Sequence, residues 1–211
     1  QRTAERAFDQ ALATVAGKLR GMAYASAGAA ASKEEAALYR ENFSARELML
    51  IWPDLQAWNV TTSATDTVPA VAYALGLRAA IDLEQGWHKT ISNVGINGVT
   101  GISKGVSWDL QDPSTDAGFL NAADVTTLVR MNGLRFWGSR TCSDDPLFAF
   151  ESATLSAQII ADSIADAMAI FVDKPLHASI ARDILETIKA RGRQWVSDGY
   201  LLGFDCWYDP T

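Results

Sequence analysis

Apolar residues recur at three- and four-residue steps from Phe8 through Ala11, Leu12 and Val15 to Leu19, with charged residues between them. That spacing predicts a helix over residues 3–20 with the stripe facing inward. Gly21 ends it, and the apolar run at 22–26 suits a strand. The small residues from Gly28 to Ser32 read as a loop, and Ser32 with Glu35 forms a capping box for a second helix. Residues 46–52 predict a buried strand stopped by Pro53. A third helix is predicted from Asp66 or Thr67 to Gln85-Gly86, with Pro69 in its first turn. Its inner face would be Val68, Val71, Ala72, Leu75 and Ala79.

From Trp87 to Asp116 glycines punctuate short polar runs, which predicts loops and short strands. Asn132-Gly133, set between the runs 128–131 and 134–137, predicts a β-hairpin because both residues tolerate positive φ. Ser143, Asp144, Asp145 and Pro146 form a helix start, and that helix should run to about Val172, where Lys174-Pro175 breaks it. The last helix, 176–196, carries Ile180, Ile184, Ile188 and Trp195 on one stripe, and Asp198-Gly199 turns into a final strand at 200–208. Strands alternating with helices predict an α/β layered domain with a mixed β-sheet flanked by helices. Residues 1–211 are read as one domain.

Composition narrows this picture. With 211 residues, 48% of them hydrophobic, the chain can build a substantial core without a disulfide or a metal. Cys142 and Cys206 make neither a disulfide framework nor a zinc-type cluster. They are read as reduced thiols, with one bridge between them as the alternative. A net charge of −7 and a pI of about 4.8 argue against a nucleic-acid partner, which requires concentrated positive charge. No membrane span is expected, because the apolar stretch 157–172 is interrupted by Asp162, Ser163 and Asp166. Gln1 reads as the cut end of a longer protein.

Candidate chemistry is sparse. Gly95, Gly98 and Gly101 lack the spacing of a phosphate-binding fingerprint, so they read as a surface loop. His88 and His177 lie in different segments with no serine elbow to serve, and they read as packing or capping residues. Asp109, Asp112, Asp116 and Asp124 form an acidic stretch without a calcium-loop pattern. Two carboxylates near 95–116 would suffice for a hydrolase, which keeps a cytoplasmic enzyme as the alternative reading. Turn and cap roles, or a charged face for docking another copy, explain these acids more simply. Of seven tryptophans, Trp52, Trp137 and Trp207 sit in strand-like runs and read as core. Trp58, Trp87 and Trp108 fall in loop-like contexts and are candidate subunit contacts. No cofactor or metal is implied.

Several longer strings carry a resemblance. WHKT at 87–90, SNVGINGVTG at 92–101, RFWG at 135–138 and RTCSDDP at 140–146 resemble tail sheath proteins of contractile-tailed phages and R-type pyocins. NFSARELM at 42–49, IWPD at 51–54 and VDKP at 172–175 resemble the same family, and the likeness runs from about Ala11 to Tyr208. The resemblance implies a structural, non-enzymatic subunit of the virion tail, assembled in the bacterial host cytoplasm. Its partners would be other copies stacked as hexameric rings, the tail tube protein, and the baseplate and tail terminator proteins. Contraction would drive the tube through the target envelope by repacking a bistable interface. Family members extend beyond both ends of this chain with arms that pair with neighbours by strand addition. A fragment lacking them is expected to be monomeric. Pairing of the stretch Asp109 to Asp124 with Lys189, Arg191 and Arg193 of another copy is the expected inter-ring contact.

Overall fold

A computed structural model describes residues 2–173 and 178–208. The chain runs α1 (Arg2–Leu19), β1 (Ala23–Ser26), α2 (Lys33–Arg40), β2 (Leu48–Ile51), β3 (Leu55–Asn59), β4 (Ala64–Val68) and α3 (Ala70–Glu84). It continues through β5 (Gly95–Ile96), β6 (Gly101–Ile102), α4 (Asp116–Ala122), β7 (Val125–Arg130), β8 (Leu134–Trp137), α5 (Glu151–Met168) and α6 (Ala178–Ser197). The predicted break at Lys174-Pro175 and the placement of His177 lie outside the described residues.

Five strands form one mixed sheet in the order β1-β2-β7-β8-β5. β1, β2 and β7 run parallel, while β8 pairs antiparallel with both β7 and β5. β4, β3 and β6 make a second, antiparallel sheet. The α/β class with a mixed sheet is therefore the observed architecture.

Alternation along the central strands divides the core in two, because successive side chains leave opposite faces of a sheet. Ala23, Ala25, Leu48, Leu50 and Val125 point to one side, where Ala13, Ala16, Ala36 and Leu120 meet them. Tyr24, Met49, Ile51 and Leu128 point to the other, against Ala70, Ala74, Ile81, Ile91 and Phe136. All four residues of β2 are buried, as befits a strand paired on both edges and covered on both faces.

Local signals were legible where they had a mechanism. Ser32 accepts from the Glu35 amide, and Glu35 reaches back to the Ala31 N–H at 2.8 Å. The hairpin turns through Asn132 and Gly133, with φ of 49° and 100°. Tyr39 explains the first departure. Its hydroxyl donates to Asp9 at 2.7 Å and draws that face of α1 inward with the small Ala13 and Ala16. Most of the predicted stripe is thereby turned outward, leaving Phe8 67% and Leu19 75% exposed, while Leu12 still packs against the core.

Asp66 and Thr67 belong to β4, not to a helix, because β3 pairs with them in a hairpin and α3 begins only after Pro69. On α3 the buried residues are Ala70, Ala74, Arg78 and Ile81, whereas Ala72, Leu75 and Ala79 face solvent. Burial of an arginine rotates this helix away from its apolar count. The helix predicted after Pro146 starts as a single 3-10 turn, Pro146–Phe148, and the α-helix proper opens at Glu151.

The segment 200–208 is irregular and forms no strand. Phe204 instead lies across α6 against Trp195, at 6.0 Å between ring centroids. Gly192 permits that approach, since a Cβ there would meet Phe204 at 1.9 Å. Trp207, read as core, is 78% exposed.

The expectation about apolar length also needs correction. Glu151–Phe171 covers 21 residues with a mean hydropathy of 1.3, long and apolar enough to cross a membrane by length and composition alone, and 11% of that window is buried. Asp162 and Asp166 do not lower the average enough to prevent this. The residues that α5 does bury are Glu151, Thr154 and Gln158, so its polar side faces in and its isoleucines remain half-exposed.

Candidate functional site

The expected contact residues lie in the loop before α4, at the two ends of α4, on α6, and at tryptophans of β3 and two loops. Asp109 and Asp112 lie in the loop before α4, where Asp109 accepts from the Gln111 amide and Asp112 from Ser114, each at 2.8 Å. These are turn-closing bonds of the type aspartate makes to backbone two residues on. Asp112 is held below the usual carboxylate range by the Ser114 hydroxyl and amide.

Asp116 opens α4 and meets Lys33 at 2.5 Å while accepting from the Ser107 amide and hydroxyl. Lys33 and Ser107 together bring its pKa down to about 2. Asp124 follows the end of α4 in the left-handed region, at φ 56°, which aspartate tolerates. It bridges Arg40 at 3.0 Å and Arg140 at 3.4 Å. Asp116 and Asp124 thus tie α4 to its own chain, and Asp109 and Asp112 are the acids left projecting from the loop.

Lys189, Arg191 and Arg193 sit on α6. Lys189 lies 3.4 Å from Asp205, Arg191 stacks over Trp195 at 5.2 Å, and Arg193 is exposed. Of the tryptophans, Trp58 on β3 is 55% exposed and available to a neighbour. Trp87 and Trp108 are half-buried with partners inside the chain: Trp87 meets Tyr200 at 5.4 Å and Trp108 meets Trp137 at 5.3 Å, both edge to face. His88 joins the first of these clusters beside Tyr200.

The 95–116 region is not shaped around carboxylates. The open hollow that touches Gly95, Ile96 and Asn97 is otherwise walled by Ala72, Tyr73, Gly76 and Leu77. The acids of this region with shifted pKa values, Asp112 and Asp116, are pushed down, whereas a general acid needs its pKa raised. Both cysteines are free thiols; Cys142 is buried in the core and Cys206 is half-buried.

Sequence reasoning missed the most buried ionic cluster. Glu151 is fully buried, receives the Tyr24 hydroxyl from β1, and faces Arg78 of α3 at 3.9 Å. Burial raises its pKa, against the opposing pull of Tyr24 and Arg78. No periodicity signals this, because both charged residues sit at positions that pattern reading assigns to solvent.

This α/β body has the fold of contractile sheath proteins. It superposes on the helical sheath of the anti-feeding prophage in its contracted state with a TM-score of 0.67, at 19% identity, covering 84% of this chain and 46% of that one. Sequence comparison places it more narrowly: the chain belongs to the phage tail sheath protein family, whose central domain matches residues 5–142 and whose C-terminal domain matches residues 143–211. It is 56% identical over 198 residues to the tail sheath protein of Escherichia phage P2, and 46% identical over 198 residues to the major tail sheath protein of Serratia phage KSP20. Each alignment covers 94% of this chain and 50% of the relative, so the chain spans about half the length of the curated relatives it matches.

Proposed function

We propose that this chain is the body of a contractile tail sheath subunit: a structural, non-enzymatic part of the virion tail, assembled in the bacterial host cytoplasm. The observation that carries the reading is the 56% identity to a phage tail sheath protein over 94% of the chain. Copies stack as hexameric rings around the tail tube, bounded by the baseplate and the tail terminator. On triggering, subunits move largely as rigid bodies between two discrete packings, and the tube is driven through the target envelope. A device of this kind stores its free energy in interfaces at assembly, so the body needs no cofactor, metal, nucleic acid or membrane to work.

The loop acids Asp109 and Asp112, the basic residues Arg191 and Arg193, and the exposed Trp58 are the contacts offered to neighbouring copies. Asp116, Asp124, Lys189, Trp87 and Trp108 serve the subunit's own structure first. Without terminal arms the body stays monomeric. Negative-stain electron microscopy of the protein with its flanking segments, beside the 211-residue chain, tests this. The reading predicts hollow striated tubes from the longer protein and monomers from the shorter. Monomers from both, with tube and baseplate supplied as templates, would refute it.

A further inference from the structure

Residues 143–211 are matched to one family domain and residues 5–142 to another, and the Glu151 cluster straddles that boundary. Glu151 is the first residue of α5, a position that favours an acidic side chain. Tyr24 donates its hydroxyl to Glu151 Oε1 from the sheet side. Arg78 brings Nη1 to 3.9 Å from Oε2 and is itself fixed, donating to the Lys89 carbonyl at 2.5 Å and to Asp82 at 2.7 Å. The Thr90 side chain and the Ile91 amide face the same carboxylate. β1, α3 and the loop after α3 therefore converge on one side chain of α5.

The rest of the α5 contact is not a hydrophobic seam. Thr154 and Gln158 continue the buried face at the third and seventh positions after Glu151, while Ile159, Ile160 and Ile164 are half-exposed. Apolar burial is non-directional and tolerates sliding. The buried Glu151 carboxyl accepts the Tyr24 hydroxyl on one oxygen and faces Arg78 with the other, which has no hydrogen-bond partner among the described residues. Such a group is sensitive to displacement, and loss of one partner leaves an uncompensated group in the interior. Two weaker ties flank it: Tyr200 against Trp87 and His88, and the exposed Arg20–Asp162 pair at 2.5 Å.

We propose that Tyr24, Arg78 and Glu151 form a latch that holds the α5–α6 hairpin on the sheet in one orientation, so that the two family regions travel as one body. The latch is a property of the subunit alone and stands or falls independently of ring assembly. Glu151 is a positioning residue whose job is to fix a helix, and the readout must separate that from general stability.

Hydrogen–deuterium exchange on the 211-residue chain does so. In Glu151→Ala, amides of α5 and α6 should exchange at least about tenfold faster while β2 and β7 keep the wild-type rate, because local opening is cheaper than global unfolding. Glu151→Gln keeps an acceptor for Tyr24 but takes the counter-charge from Arg78, and should give a smaller increase than Glu151→Ala, again confined to α5 and α6. Unchanged hairpin exchange in Glu151→Ala, or the same acceleration in hairpin and sheet, would overturn the latch. Should Glu151→Ala fail to fold, Tyr24→Phe removes one hydroxyl and must give a hairpin-restricted increase. A uniform increase, or none, would overturn it equally.

Discussion

At the scale of single residues, the environment of each titratable group predicts its behaviour. Burial pushes the Cys142 thiol up to about 12, so the nucleophilic thiolate is scarce and the sulfur is enclosed. Thiol titration of the native protein at about pH 8 should therefore modify Cys206 alone, and both cysteines once denaturant is added. Rapid loss of two thiols from the native chain would contradict the placement of Cys142. Asp116 makes the opposite case. Its folded pKa of about 2 lies below the ordinary aspartate value of about 3.9. The Lys33 pair thus stabilises at pH values above the ordinary one, and its contribution is lost as pH falls through about 2. Asp116→Asn should melt below wild type at neutral pH, with the gap closing on acidification. An equal gap at both ends of the titration would mean that packing, not charge, is what the substitution removes.

At the scale of elements, the energetic contrast lies between two apolar groups that look alike in sequence. Phe136 on β8 is fully buried between the sheet and α3, and truncating it to alanine should cost about 3–5 kcal/mol in urea unfolding. Leu19 belongs to the stripe that periodicity assigns to the inside of α1, yet it stands in solvent, and Leu19→Ala should change stability by less than about 0.5 kcal/mol. A large loss at Leu19 would show that α1 packs by its apolar stripe after all. Elements with a local cause were legible: the Ser32 cap, the Asn132-Gly133 hairpin, and β2 as an unbroken apolar run. What could not be read was set by partners distant in sequence. Tyr39 turns α1 through Asp9, and Glu151 pulls Arg78 inward from a residue 73 positions later. The β3–β4 hairpin was hidden because β4 has no fully buried residue: Thr65 and Thr67 are exposed, and Asp66 and Val68 between and beside them are only half-buried. Resemblance supplied the family, and physical pattern supplied the fold class; neither indicated the buried cluster.

At the scale of the whole molecule, the charged surface reduces to fewer residues than the sequence offers. Asp116 and Asp124 are taken by Lys33, Arg40 and Arg140, which leaves Asp109 and Asp112 as the acidic side of the proposed contact between rings. Arg191→Glu with Arg193→Glu should impair sheath assembly by the full-length protein while the monomer stays folded, with only the small loss in melting temperature expected from the Arg191–Trp195 contact. Normal tubes from that variant would remove α6 from the contact. The central claim, that this chain is an interchangeable sheath body, is tested most directly by transplantation. The matching 198-residue stretch of the phage P2 tail sheath protein is replaced by that of this chain, and tails from the chimera are imaged before and after triggering. The account predicts sheathed tails that shorten on triggering. Naked tail tubes beside a soluble, folded chimera would contradict it.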